Sequence, residues 1–463
     1  MMRTALLILS GNAFASVLLL VRNLLVARMI PVADYGVAST FAVAMAVVEM
    51  ASALGLQQQI IQAREGDDPD FQAALQGFQV LRGVMSGAAL FLIAGPMADF
   101  MAIPEVTWAY RMLALVPVLN ALVHFDIHRL NRHMIFWPML VTGALPALIS
   151  VLVLWPLAHW FGDWRVMLYA ILIQVLLAAV VSHLVARRPY RLRFDPAVMA
   201  GALRFGWPLL VNAVLLFFVF QGDRLIVARL LGMVSLAIFS MGVTLTLTPT
   251  LVVAKSVQNL LLPALSAAAT RRPAGRKAFD DLVTATLKLH FLSGSALVLG
   301  TALLGPVLVH LLLGPRYADL VPILTLLAIQ QGLRLFKGGP ATVALATGQT
   351  GNAMIANFVR VGFLPLGYAI AARTGQIDLL IFTGIVAEAA GLVVAIWVAS
   401  ARIAIPVRPF LPALCSSILV LAATYGVPRW SGLGVMGSDL VMAMIFLASL
   451  STMASLTGTL TDH

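Results

Sequence analysis

Apolar runs of about 20 residues recur along this chain, separated by short stretches rich in Pro, Gly and charge. A helix of that length spans about 30 Å of hydrocarbon, so the pattern predicts a string of membrane spans. Splitting the chain at its breakers gives fourteen helices. Six lie at 5–29, 36–61, 78–98, 107–124, 136–160 and 165–186. Six more lie at 203–231, 236–263, 284–313, 319–336, 353–372 and 379–400, and a final pair covers 410–427 and 439–458. The expected fold class is all-α, a polytopic membrane protein of about fourteen transmembrane helices.

One segment occurs twice. Leu24-Leu25-Val26-Ala27-Arg28 closes the first apolar helix and returns 201 residues later as Leu225-Ile226-Val227-Ala228-Arg229. Past the Arg, Pro31-Val32-Ala33-Asp34-Tyr35-Gly36 falls opposite Gly232-Met233-Val234-Ser235-Leu236-Ala237, and Gln57 falls opposite Gln258. A six-helix unit is thus duplicated, giving expected domains of 1–190 (first lobe), 191–403 (second lobe) and 404–463 (a helix pair without a counterpart). Duplicated halves around a central cleft are a recurrent transporter plan, which points to movement of a substrate rather than chemistry on one.

Composition agrees with the medium. Hydrophobic residues make up 61% of the 463, charged residues 11%, and the mean hydropathy is +0.98, too apolar for a soluble protein. The net charge of +11 raises nucleic-acid binding as an option, but the bases sit in short loops between spans, where the positive-inside rule explains them. No nucleic-acid partner is expected. With the amino terminus inside, sixteen Lys and Arg fall in inner loops, among them Arg187, Arg188, Arg334 and Lys337, against seven outside. This predicts that both termini are cytoplasmic. The run Arg187-Arg188-Pro189-Tyr190-Arg191-Leu192-Arg193 reads as the linker between lobes. The first span carries no small-residue cleavage pattern and reads as retained, and the single Cys415 leaves no internal disulfide.

Charges inside the spans carry the candidate chemistry. Arg82, Arg204 and Lys288 lie near helix ends and can snorkel. Arg28 and Arg229, equivalent in the repeat, read either as snorkelling residues or as a lobe-packing device. The deep set is Arg22, Arg224, Lys255 and Arg360 with the acids Glu49, Asp223 and Glu388. A charge at that depth costs at least about 2.5 kcal/mol, so each needs a partner or a wet cavity. Two readings stand. One is internal ion pairing, for example Glu49 with Arg22. The other is a cationic cavity between the lobes in which Lys255 meets an anionic group and Arg22 and Arg224 hold it further out, because the guanidinium fork suits phosphate. Asp223 and Arg224 are adjacent, point about 100° apart on a helix, and cannot simply neutralise each other. The polar run Gln57-Gln58-Gln59 and the pair Gln258-Asn259 read either as sugar contacts or as solvated helix ends. Prolines inside the spans, including Pro117, Pro146, Pro208 and Pro249, are expected to kink them.

There is no Gly-x-x-x-x-Gly-Lys-Ser/Thr loop, and no cofactor is expected. His124, His128 and His133 cluster beside Asp126, but without a further ligand set they read as a basic interfacial turn, not a metal site. No catalytic set can be argued from spacing, and a membrane glycan polymerase or ligase is the enzyme alternative.

The chain resembles the Wzx-type polysaccharide flippases of the multidrug/oligosaccharidyl-lipid/polysaccharide superfamily. The resemblance runs from the first span to about Arg402. Its carriers are Arg22 to Arg28 with Asp34-Tyr35-Gly36, Asp223-Arg224-Leu225-Ile226-Val227, Leu313-Gly314-Pro315-Arg316-Tyr317-Ala318-Asp319-Leu320-Val321-Pro322, and Ala346-Thr347-Gly348-Gln349-Thr350. It implies two six-helix lobes, alternating access and passage of an undecaprenyl-pyrophosphate-linked oligosaccharide to the periplasmic leaflet. It also implies membrane lipids and a downstream polysaccharide polymerase or ligase as partners. Related lipid II flippases place cations from the first and eighth helices in the cavity, locations that Arg22 and Lys255 match. Asn23 follows Arg22 where those relatives commonly have Asp, and Glu49 stands where they have a base. A lipid II flippase and a multidrug cation antiporter are the alternatives within the superfamily.

Overall fold

The computed structural model describes residues 2–51, 55–270, 275–349, 351–430 and 440–448, and the side chains of 2–13, 48–51, 205–206, 208–209, 211–212 and 429–430 lie outside the described set. Among the described residues all regular structure is helical. The chain divides into two compact units, Met1–Ala237 and Ile238–His463.

The first unit holds α1 (Met2–Met29), α2 (Val32–Ala51), α3 (Leu56–Gln62), α4 (Pro69–Phe100), α5 (Thr107–Leu113), α6 (Leu115–Ala121), α7 (Asp126–Arg132), α8 (Trp137–Leu152), α9 (Leu154–Trp160), α10 (Arg165–Val185) and α11 (Pro196–Leu230). The next helix, α12 (Gly232–Thr270), begins in the first unit and runs into the second. There it joins α13 (Arg276–Leu313), α14 (Leu320–Ala346), α15 (Gly351–Gly362), α16 (Leu364–Thr374), α17 (Ile377–Ile403) and α18 (Leu411–Trp430). Nine helical stretches among the described residues are long and apolar enough to cross a bilayer, and a bent pair, Pro104–Ala121 with Asp126–Arg132, would make a tenth. That is fewer than the fourteen read from the sequence, whose last span at 439–458 lies mostly outside the described residues.

Proline chemistry explains where predicted spans break. Pro117, Pro156 and Pro365 each lack the N–H that would close a helical turn. The interruptions fall two or three residues before them, at Ala114, Val153 and Phe363. Pro146 and Pro249 are carried inside continuous helices. The prediction also ended a helix at residue 336, ahead of Lys337-Gly338-Gly339-Pro340, whereas α14 continues to Ala346. The two glycines are there for packing. A Cβ on Gly339 would come within 2.8 Å of Leu287, and one on Gly338 within 3.0 Å of His290, both on α13. About two turns earlier on α14, Gly332 lies against Gly294 of α13. Small residues that let helices approach closely replace the hydrophobic drive that lipid cannot supply.

Each unit has an aromatic core. In the first, Phe41 meets Tyr110 and Trp164 edge-on, and the Tyr110 hydroxyl is hydrogen-bonded to Thr40. In the second, Phe291 lies between Phe336 and Phe410 within a cluster drawn from α12, α13, α14, α17 and α18. Gly36 fixes the start of α12, since a Cβ there would lie 1.9 Å from the carbonyl oxygen of Met233.

The Arg-rich stretch after α10 is stitched to the first unit. The amides of Arg187 and Arg188 donate to the Asp126 carboxylate at 2.7 and 3.3 Å, and the Arg188 side chain reaches Gln72 and the Asp67 carbonyl. Further on, the Arg193 amide donates to the Ala73 carbonyl at 3.0 Å. Arg229, read either as a snorkelling or as a lobe-packing residue, donates to the carbonyls of Asp99 and Phe100 at 3.2 Å each. It therefore caps the carboxyl end of α4, where a cation also suits the helix dipole.

Candidate functional site

Two of the deep arginines come together in the first unit. Arg22 of α1 donates through Nη1 to Gln174 of α10, and Arg224 of α11 donates to Gln221 one turn earlier at 3.1 Å. Tyr35, buried on α2, is within electrostatic reach of both guanidiniums. Among the described residues neither arginine has a carboxylate within ion-pair distance, and the Nε of each is buried without a hydrogen-bond partner. Glu49, the acid offered as a partner for Arg22, has its side chain outside the described residues. Asn23 and Asp223 are half-buried beside Arg22 and Arg224.

A cavity of about 400 Å³ opens in the same unit, with Gln57, Gln79, Arg82, Asn120 and Thr142 among its walls. Gln57 enters it from the short helix α3, whose last carbonyls are held by Arg132, at 2.8 Å from Ile61 and 2.5 Å from Ala63. Arg82, read as a snorkelling residue, faces this cavity. Its polar wall offers amides and one cation, a suitable surface for hydroxyl groups.

Outside the spans, Asp67 collects His133 Nε2 at 2.6 Å, Arg132 at 3.4 Å and Arg129 at 3.9 Å. The hydrogen bond from His133, helped by the charges of His133, Arg132 and Arg129, holds the Asp67 carboxyl below the usual carboxylate range. His124 packs edge-on to His183 and Tyr190 rather than pairing with His128.

The second unit holds the other four candidates. Lys255 is exposed on α12, and Gln258, three residues on, is half-buried. Arg360, expected as an anion ligand, has an acid of the same deep set beside it. It is 1% exposed and lies 3.4 Å from the carboxylate of Glu388, which is fully buried. Two further cations share that carboxylate. Arg334 donates through Nη2 at 2.7 Å and Nε at 3.1 Å, and Lys337 through Nζ at 2.8 Å. Both were counted as loop residues in the sequence, which removes two from the sixteen inner bases and leaves their excess. Their spacing of three residues, followed by an apolar stretch to Ala346, is the helical signal that the Gly-Gly-Pro punctuation obscured.

Buried charge and polar cavities inside an apolar helical bundle suit a transporter. The family described as polysaccharide biosynthesis protein matches residues 25–322, more than half of the sequence. The chain belongs to this family. Among curated relatives, it is 25% identical over 261 residues to the succinoglycan biosynthesis transport protein ExoT of Rhizobium meliloti (strain 1021), covering 54% of this chain and 50% of that one. It is 24% identical over 347 residues to the lipopolysaccharide biosynthesis protein WzxC of Escherichia coli (strain K12), covering 70% and 66%. The matches thus span half of the first relative and just under two-thirds of the second. Its fold is similar to that of the lipid II flippase MurJ in an inward closed conformation, with a TM-score of 0.71 at 14% identity over 97% of this chain and 98% of that one. An inward-facing multidrug resistance MATE family transporter of the MOP superfamily follows at 0.64 and 16%, over 84% and 95%. At these identities the likeness is one of fold. This member of the family is a multi-pass membrane protein with the helical fold of MOP transporters.

Proposed function

We propose that the chain is a flippase that carries an undecaprenyl-pyrophosphate-linked oligosaccharide from the cytoplasmic to the periplasmic leaflet during O-antigen or exopolysaccharide assembly, by alternating access. The observation that carries this reading is the pair Arg22 and Arg224 around Tyr35, two half-buried guanidiniums whose Nε atoms are buried without a partner and which have no described carboxylate partner. A guanidinium presents a planar fork of donors that fits phosphate oxygens, and a desolvated one gains most from an anion. Lys255 supplies a further point charge on α12. Gln57 and Gln258 contact the glycan in this reading, with Asn23, Asp223 and Glu49 as polar or coupling groups. Arg360 leaves the set because Glu388 holds it, and Glu388, clamped by three cations, is a structural anion rather than a coupling acid.

The fold likeness to transporters and the family membership support transport over catalysis. The excess of inner-loop bases supports an inner-membrane orientation with cytoplasmic termini. A polysaccharide polymerase or ligase is the partner that would take up the flipped substrate. Outward movement of an anion across an inside-negative membrane is favourable by about 2.3 kcal/mol per charge per 100 mV, so voltage can drive the step.

The test is transfer of a polyprenyl-pyrophosphate oligosaccharide between leaflets of proteoliposomes, with an Arg22/Arg224/Lys255→Ala triple variant alongside. Protein-dependent transfer that falls at least about ten-fold in a folded triple variant is the expected result. Wild-type transfer by that variant removes the cationic site, and no transfer by folded wild type with several glycans and an imposed potential removes the flippase reading.

A further inference from the structure

Beside the Glu388 cluster lies a partly open cavity of about 150 Å³, lined by the second half of α14, the first turns of α15 and Ala395 of α17. Its polar wall consists of Arg334, Lys337, Asn352 and Asn357, and the remainder is Gly, Ala and Pro. Among the described residues no carboxylate lines it. One carboxylate among three cations leaves the adjoining cluster net positive.

The two amides are oriented by their neighbours. Arg402 Nη1 lies 3.1 Å from the side-chain oxygen of Asn352. A guanidinium can only donate, so the Asn352 carbonyl must face Arg402 and its NH₂ must face away. That nitrogen, Nδ2, is buried and has no hydrogen-bond partner, on a residue that is 3% exposed. The same logic applies to Asn357, whose Oδ1 accepts from Lys337 Nζ at 3.3 Å and whose NH₂ is thereby turned from the ammonium. The Asn352 amide therefore has a donor without a protein partner at the cavity wall, and Lys337 and Arg334, both held on Glu388, bring positive charge to the same wall. The amino-terminal turn of α15, a twelve-residue helix, adds the positive end of its dipole.

An orphaned buried amide N–H costs free energy unless something accepts from it. Water could accept, but it would leave the positive charge unbalanced, whereas an oxyanion answers both demands. Liquid water occupies about 30 Å³ per molecule, so a cavity of this size has room for one phosphate-sized group. We propose that this cavity is an anion site for a single phosphate group, bound by Lys337 and Arg334 through charge and by Asn352 and Asn357 through their amides. It is separate from Arg22 and Arg224 and does not rest on the flippase reading. The phosphate could be free or the headgroup of an anionic lipid.

The two sources are distinguished with the full chain in a neutral detergent and in nanodiscs. Inorganic phosphate binding is measured by equilibrium dialysis with radiolabelled phosphate and by the shift of the thermal unfolding midpoint. Retention of phosphatidic acid in phosphatidylcholine nanodiscs is measured by native mass spectrometry. Asn352→Asp keeps an oxygen for Arg402 and turns a negative charge into the cavity. Asn357→Leu removes the second amide, and both variants leave the Glu388 contacts intact. Saturable binding of one phosphate by wild type, weakened about ten-fold or more in both variants at an unchanged ligand-free unfolding midpoint, supports a free-phosphate site. Wild-type retention of phosphatidic acid without phosphate binding, lost in both variants, supports a lipid headgroup. Binding of neither probe by wild type, or equal binding by a folded Asn352→Asp, overturns the proposal.

Discussion

Lys337 and Glu388, 51 residues apart in the chain, meet at 2.8 Å in the interior of the second unit. With Arg334 and Arg360 on the same carboxylate, the arrangement ties α14, α15 and α17 through one buried anion. A buried ion pair adds little over a well-packed apolar equivalent, but removal of one partner leaves unbalanced charge in a dry site. Glu388→Gln is therefore expected to destabilise the protein by about 3–5 kcal/mol. The check is the unfolding midpoint in detergent. A stable Glu388→Gln protein with altered pH dependence of transport would instead make Glu388 a coupling acid.

Arg22 serves as a donor fork in the proposed function, so Arg22→Ala and Arg22→Lys should separate charge from geometry. Alanine is expected to lower the flipping rate at least about ten-fold, and lysine to recover part of it, because an ammonium restores the charge and not the two-pronged contact. Flipping assays paired with unfolding midpoints read this directly. Equal rates for Lys and Ala would mean that charge alone is irrelevant there.

Gly36 lies where a Cβ would be 1.9 Å from a backbone oxygen, whereas a Cβ on Gly300, inside α13, would meet nothing within 4 Å. Gly36→Ala should destabilise by about 1–3 kcal/mol or more through overpacking. Gly300→Ala should stabilise by roughly 0.5–1 kcal/mol through helix propensity. Opposite shifts of the two unfolding midpoints are the expected reading.

Asp67 provides a pH signature outside the membrane. Its folded pKa is lowered, first by the hydrogen bond from His133, so its stabilising contribution is complete above the ordinary carboxylate value and is lost as pH falls through the lowered value. Asp67→Asn should make the unfolding midpoint less sensitive to acidification from the ordinary carboxylate value, roughly pH 4, downward. An identical acid response in both proteins would assign that sensitivity to other carboxylates.

Much of the helical plan was legible because a bilayer demands long apolar segments, and the sequence states them openly. The breaks at Ala114, Val153 and Phe363 were less legible. Pro117, Pro156 and Pro365 interrupt their helices, while Pro146 and Pro249 do not, and that choice is made by neighbouring helices. Arg334 and Lys337 were misplaced for a related reason. Two bases before Gly-Gly-Pro look like a loop until Glu388 is found opposite them, and that partner is remote in sequence. Arg22, Arg224 and Glu388 stood out because charge in an apolar span is conspicuous. Which of them carries a partner is a property of packing, and local sequence does not encode it.

The hydrogen bond from Arg402 to Asn352 gives the second unit a property that no cavity residue possesses alone. A carboxamide is two-faced, and the face it shows inward is chosen by what stands behind it. Arg402 lies outside the set of side chains that wall the cavity, yet it selects the donor face. An acceptor at position 402 would rotate the amide by half a turn and present a carbonyl instead. The donor face of this pocket is thus chosen one residue behind its wall, so a single substitution there would take a hydrogen-bond donor from the ligand while leaving the wall's charge and shape as they are.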